Sequence, residues 1–282
     1  TLMIVNTAGH DTDCNSGNVG CIMGIKNGLE GLRNGPDYLT PIQDRMYCPT
    51  ANGGETQTDA LTEAYKVINT AKRMNKEEIV EPKNGSRFHF EMPGSVQGWR
   101  SSFKNNKNIS TIVQNTEYKS NIGKRALEIK FDRVAPGVCS EAVVDTFFPQ
   151  ELYELTGSAR ERFFQSYNFI SCPLLYSGQN IESEIIFKSD SQKPITVKCF
   201  INVFGEEDNY ERINSESVVL FPDKSQTLKW KIPSTEGNPI TQVGFSIESD
   251  EANSGSLILN YLTFTGEPNC KFYKPKHIGK HK

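Results

Sequence analysis

Apolar positions in this chain follow two periods, and the change from one to the other falls near residue 80. Ahead of it, Gly17, Gly20, Gly24, Gly28 and Gly31 recur at spacings of 3, 4, 4 and 3, with Val19, Ile22, Met23, Leu29 and Leu32 between them. On a helix these glycines form one stripe. Each interior glycine costs about 1 kcal/mol relative to alanine, so the stripe predicts a tightly packed helical neighbour. A second helix is predicted over Asp59–Met74, with Leu61, Tyr65, Ile68 and Ala71 on one face and Lys72 and Arg73 at its closing end. Two helices and the irregular Asn34–Gln57 connection are too little for a core, so 1–75 reads as part of something larger, expected to associate or to lack order alone.

The charged run 76–87, with Pro82 and Gly85, reads as a linker. Beyond it the pattern becomes that of strands. Ala126–Phe131, Leu228–Ile232, Val243–Ile247 and Leu257–Tyr261 alternate, and Ile195–Phe204 is apolar on both faces. Phe88–Met92, Ala142–Phe148 and Ile181–Phe187 are further candidates. Short strands separated by turns such as Phe221-Pro222-Asp223 predict two antiparallel sheets packed face to face. The expected fold class is therefore α + β multidomain: a partial all-α segment at 1–75, then a β-sandwich of jelly-roll type at 88–270, then a basic tail at 271–282.

Composition narrows the function classes. With 36% hydrophobic and 23% charged residues in 282, the chain can bury a core and is not globally disordered. A net charge of -3 with interspersed signs is unlike a nucleic-acid binder, and the basic run Lys271–Lys282 reads as a solvated tail. No stretch is apolar enough to span a bilayer. The seven cysteines are scattered, with neither a disulfide framework nor zinc spacing, and Cys199 reads as a buried small hydrophobe. No signal peptide is visible, but the chain starts at Thr1 rather than Met, so this absence excludes nothing.

The run Ala8–Gly20 reads AGHDTDCNSGNVG. Asp11 and Asp13 at a helix entrance can direct two carboxylates at one hard cation such as magnesium. Asp, Asn and Ser are also the residues that cap helices, and spacing alone leaves both readings open. Asp-Thr-Asp in this glycine-rich setting, with Pro36–Tyr38, Asp44-Arg45-Met46-Tyr47 and the helix Asp59–Met74 after it, resembles the C-terminal part of the ADP-ribosylglycohydrolase family over about residues 1–75. The resemblance implies an all-helical catalytic domain holding two magnesium ions that position ADP-ribose and a water for glycosidic hydrolysis. It makes Asp11 and Asp13 metal ligands. Cys14 stands where that family often has threonine, and a thiol is a poor magnesium ligand. The family's Thr-Asp-Asp motif occurs nowhere in this chain. The resemblance thus implies half a site, with the N-terminal half of the catalytic domain as missing partner, and no activity from this chain alone.

The β part is similar to the galactose-binding-like and carbohydrate-binding jelly rolls appended to many bacterial enzymes, in its opening Phe88-His89-Phe90-Glu91 and the following Trp99. That likeness implies a structural calcium, for which Glu91 and Asp132 are available, and an aromatic sugar platform, for which Trp99, Tyr118, Tyr153 and Tyr167 are candidates. The same aromatics can instead plug the ends of a sandwich. Trp230 reads as core and His89 as a strand residue rather than a ligand. Three readings follow: a fragment of a magnesium-dependent ADP-ribosyl hydrolase with an accessory sandwich; a non-catalytic carbohydrate- or protein-binding module with a helical docking remnant; or a sandwich that covers a helical domain.

Overall fold

The computed structural model describes residues 1–48, 56–102, 111–149, 152, 155–166, 171–205 and 209–269. The chain divides into two compact units, Thr1–Ile42 and Gln43–Lys282. The first contains α1 (Leu2–Asn6) and α2 (Thr12–Arg33). The predicted glycine-striped helix exists, but its stripe is hardly used. An added Cβ at Gly20 would lie 3.5 Å from Leu2 in α1, whereas at Gly17 and Gly24 it would meet nothing within 4 Å. Gly28 breaks the helix geometry instead, at φ 62° and ψ -167°, a conformation glycine adopts without steric cost. None of the described side chains of residues 1–42 is buried.

The second unit opens with a hairpin, β1 (Arg45–Tyr47) and β2 (Gln57–Asp59), followed by α3 (Ala60–Met74). The helix starts where the predicted capping signal sits: Asp59 accepts the Thr62 N–H at 2.8 Å, with Glu63 in the first turn and Lys72 and Arg73 in the last. The compact unit that holds this helix begins at Gln43, ahead of the expected boundary at residue 75. The Asp44 carboxylate accepts from Ser95 Oγ at 2.6 Å and from the Val96 N–H at 2.9 Å, and the Gly98 N–H donates to the Gln43 carbonyl. Arg87 pairs with Asp59 at 2.7 Å, and the Tyr65 ring meets His89 edge-on. Hairpin and helix thus belong with the sandwich. Nor is 76–87 a free linker: Asn69 both donates to and accepts from the Val80 backbone, and Lys83 in the 3-10 turn Pro82–Gly85 is buried.

The sandwich is built from β3 (Arg100–Ser101), β4 (Thr111–Glu117), β5 (Arg125–Val134), β6 (Ser140–Asp145), β7 (Asn180–Lys188), β8 (Ile195–Phe204), β9 (Tyr210–Asn214), β10 (Val218–Leu220), β11 (Ser225–Lys231), β12 (Ile240–Glu248) and β13 (Asn253–Thr265). An unpredicted helix, α4 (Gly157–Ser166), lies between β6 and β7 in sequence. One sheet has five strands in the order β11-β7-β13-β5-β4. The other has six, in the order β10-β8-β12-β6-β3 with β9 also on β8, and the strand pairs of both sheets are antiparallel. Alternation supplies the core: Leu127, Ile129 and Phe131, Ile181, Ile185 and Phe187, and Leu257 and Leu259 from one sheet meet Val197, Cys199 and Ile201 and Val243, Phe245 and Ile247 from the other. Each such side chain contributes about 1.5–3 kcal/mol by leaving water.

The predicted strand Phe88–Met92 is reduced to one bridge between Phe88 and Leu262. The reason is local: the Gln97 side-chain carbonyl accepts from both the His89 and Phe90 N–H at 2.8 Å, and Phe90 turns to φ 60°. The ladder ends because a side chain has taken its donors.

Candidate functional site

With one set of alternate residues in the core, the six-stranded sheet turns the other set to its opposite face, where the central strands β6 and β12 are still buried. Register places Arg212 of β9, Asn202 of β8, Gln242 of β12 and Asp145 of β6 in one cross-strand row. The row is hydrogen-bonded end to end. Arg212 Nε donates to Asn202 Oδ1 at 3.3 Å, Asn202 Nδ2 to Gln242 Oε1 at 2.8 Å, and Gln242 Nε2 to Asp145 Oδ1 at 2.9 Å. Arg100 of β3 closes it with a fork on Asp145, both bonds at 2.9 Å.

The neighbouring rows explain how the long side chains lie flat. Phe200 and Gly244 are register partners, and a Cβ at Gly244 would stand 2.4 Å from the Phe200 ring and 2.6 Å from the Ala142 carbonyl. With no side chain there, Arg212 crosses the Phe200 ring at 3.8 Å and reaches Glu141, donating at 2.6 and 3.2 Å. Glu141 is buried, while the Arg212 side chain stays 35% exposed, so the guanidinium forms part of the surface. Lys198 is matched by Glu248 at 2.9 Å. At the edge, Phe204 and Tyr210 pair with ring centroids 5.2 Å apart, both partly buried.

At the other end the hairpin joins in. Tyr47 Oη donates to Asp145 at 3.2 Å, and Arg45 lies 3.7 Å from the same carboxylate. Burial first, then the Asp145 charge, pushes the Tyr47 phenol well above its ordinary range, so it remains a donor. Of this row Asn202 and Arg212 reach the surface beside two aromatic rings, while Gln242, Asp145 and Arg100 lie buried beneath and fix their register, and Arg212 and Lys198 are each matched by a carboxylate.

Other predicted site residues fall elsewhere. Asp11, Asp13 and Cys14 bring one ligand atom each within 4.8 Å of one another, all exposed, and form the one such cluster of three among the described residues. Asp11 precedes α2 in a left-handed conformation, φ 45°. The two carboxylates fit part of a hard-cation site. The Cys14 thiol does not: its hydrogen bond with Asp11, then the Asp13 charge, raises its pKa and keeps it protonated.

Glu91 and Asp132 are not brought together. Glu91 accepts from the Lys124 and Arg125 N–H at 2.9 and 3.1 Å, beside the first residue of β5. Asp132 accepts from Ser254 Oγ at 2.7 Å, near the far end of that strand, about 23 Å away at the usual rise per residue. The Trp99 platform is corrected: the ring is fully buried, stacked on Phe245 with centroids 5.9 Å apart. Tyr118 lies half-buried against Ala126, Ile186 and Ile258. Tyr153, Tyr167 and the tail 271–282 lie outside the described residues. The network residues carried a signal that the sequence reading passed over: Asn202 and Gln242 stand at the non-core phase of otherwise apolar strands.

No protein-family model matches the chain, and no curated protein does. Among solved structures it is similar to a carbohydrate-binding module of the β-sandwich superfamily, with 14% identity and TM-score 0.44 over 64% of this chain and 62% of that one. It is also similar to the CBM22-1 xylan-binding domain of Xyn10C from Paenibacillus barcinonensis, with 12% identity and TM-score 0.40 over 63% and 90% of the two chains. A third, an exo-beta-agarase, shows 9% identity and TM-score 0.40 over 66% of this chain and 25% of that one. The chain thus spans less than two thirds of the first and a quarter of the third. At this level of likeness the ligands of those proteins do not transfer, and the architecture rests on the strand pairing of the chain itself.

Proposed function

We propose that the chain works as a non-catalytic carbohydrate-binding β-sandwich that takes a glycan along the outer face of its six-stranded sheet. The observation that carries this reading is the row Arg212–Asn202–Gln242–Asp145–Arg100 beside the Phe204–Tyr210 pair. Sugars present vicinal hydroxyls that donate and accept together, and one apolar ring face. The Asn202 amide and Arg212 guanidinium in fixed register suit the first, and a partly exposed aromatic ring suits the second. The test is retardation in native gels containing soluble xylan, mixed-linkage glucan, galactan or agarose. At least one glycan should retard the chain, and Tyr210→Ala and Asn202→Ala should each weaken that binding about tenfold, roughly 1.4 kcal/mol, with the circular dichroism unchanged. Retardation by none of them, or full retardation of both variants, overturns the reading.

A second reading is favoured by the convergence of Asp11 and Asp13. There the segment of about residues 1–75 would supply part of a magnesium-dependent ADP-ribosyl hydrolase, the remaining ligands coming from the N-terminal half of the catalytic domain. Magnesium would supply charge to hold ADP-ribose and a water; the two aspartates would supply ligand oxygens. Calorimetric titration of a chain extended upstream tests it: magnesium-dependent ADP-ribose binding, lost in Asp11→Asn and Asp13→Asn, supports the hydrolase. Binding that survives both substitutions removes these residues from it.

A further inference from the structure

Lys83 has the most enclosed ammonium among the charged side chains described. Its side chain is 0% exposed, although it sits on a short turn. Nζ donates to the Arg125 carbonyl at 2.5 Å and to the Asn260 carbonyl at 2.5 Å, and lies 3.2 Å from Glu91 Oε1. Three N–H groups thus meet three oxygens.

Several local features serve this arrangement. Lys83 and Asn84 are both left-handed, at φ 48° and 58°, a backbone that non-glycine residues rarely adopt in succession. The β13–β7 register slips between Leu259 and Tyr261, and the β13–β5 pairing stops at Leu259, so Asn260 lies outside the regular ladder on both sides. At Gly123 a Cβ would stand 2.4 Å from Lys83 Cε and 2.2 Å from Glu91 Oε1, so the wall there has room for no side chain. Glu91 is fixed from behind by the Lys124 and Arg125 N–H groups.

Two backbone carbonyls and one carboxylate, held by three separate stretches of chain, are oxygen donors of the kind that hold hard cations. We propose that this is an interior cation site of the sandwich which the chain fills with its own ammonium, so that the fold needs no metal there. The calcium that the jelly-roll likeness implies does not fit around Glu91, because Lys83 Nζ already stands among its donors. Burial lowers the affinity of Lys83 for its proton and Glu91 opposes this, as expected for a charge retained by its cage.

The test is the thermal midpoint of the full chain and three variants, measured with EDTA and with ammonium, potassium or calcium chloride at constant ionic strength. The wild-type midpoint should be the same with EDTA and with calcium. Lys83→Ala, which empties the cage, should melt several degrees lower and recover at least half of that loss with one of the three cations. Lys83→Met, whose stem fills the space, should melt lower without recovery. Lys83→Ala combined with Glu91→Gln should lose the response. A wild-type midpoint lowered by EDTA overturns the proposal, as does a Lys83→Ala midpoint that moves no more with any cation than that of Lys83→Met. If Lys83→Ala accumulates unfolded, refolding yield is the readout: a higher yield with one of these cations than with choline supports the site, and equal yields overturn it.

Discussion

At His89 the imidazole is buried with little room for a second proton. Its Nδ1 accepts the Glu91 N–H at 3.2 Å, and its ring meets Tyr65 with centroids 5.1 Å apart. Burial, against the opposing charge of Asp59, lowers its pKa to about 4 from 6.5. The unfolded chain therefore binds a proton as the pH falls through 6.5, while the folded one does not until about 4. Between these values the unfolded state holds more protons, so this group leaves stability untouched above that window and lowers it on acidification within it. The loss amounts to about 2 kcal/mol by about pH 5. In urea unfolding at neutral pH and near pH 5, His89→Gln should show a smaller drop than the wild type; an equal drop would clear His89 of the effect. The sequence reading placed His89 in a strand, and it offered Trp99 as a surface platform. Neither environment is local: Trp99 lies in a Gln-Gly-Trp-Arg run that looks like loop, and only the pairing of distant strands sets Phe245 under its ring.

Helix α3 shows the same limit one level up. Its apolar spacing, its capping aspartate and its basic last turn were all legible, and the observed helix starts one residue from the predicted start. What no local pattern could show is that Asp59 serves two elements at once. Besides the Thr62 N–H it accepts from Arg87 at 2.7 Å and from Gln97 at 3.3 Å, and it is buried. Removing it leaves the partly exposed Arg87 guanidinium and the buried Gln97 amide without their acceptor, so Asp59→Ala should cost about 2–4 kcal/mol, beyond the ~1 kcal/mol of a lost cap. Urea unfolding gives the total. A double-mutant cycle with Arg87→Ala separates the ion pair from the cap, and a loss no greater than that of an ordinary cap would show that α3 is not anchored through this carboxylate. Strands followed the same division. Those with an apolar face, such as β5 and β12, were read from alternation, and β8 from its apolar run, whereas polar edge strands such as β4 and β9 present little contrast between their faces.

For the whole molecule, the change of hydrophobic period near residue 80 was taken as a domain boundary, and it marks only a change of secondary structure. The compact unit begins at Gln43. A chain cut to start at Gln43 keeps Asp44 on Ser95 and Val96, Asp59 on Arg87, and Tyr47 on Asp145. A chain cut to start at Lys76 loses all of these partners and leaves Arg87 without its buried counter-charge. Thr1–Ile42 and Gln43–Lys282 are separate compact units, and none of the described side chains of the first is buried. The 43–282 chain should therefore unfold cooperatively at the midpoint of the full chain, while 76–282 should melt at least ten degrees lower or fail to fold, given losses of several kcal/mol in a domain of this size. Calorimetry of the three chains decides the boundary, and the same chains separate the functional readings. Glycan retardation that survives in 43–282 assigns binding to the sandwich and its hairpin, whereas retardation lost together with residues 1–42, at an unchanged midpoint, would move the site to the helices that carry Asp11 and Asp13.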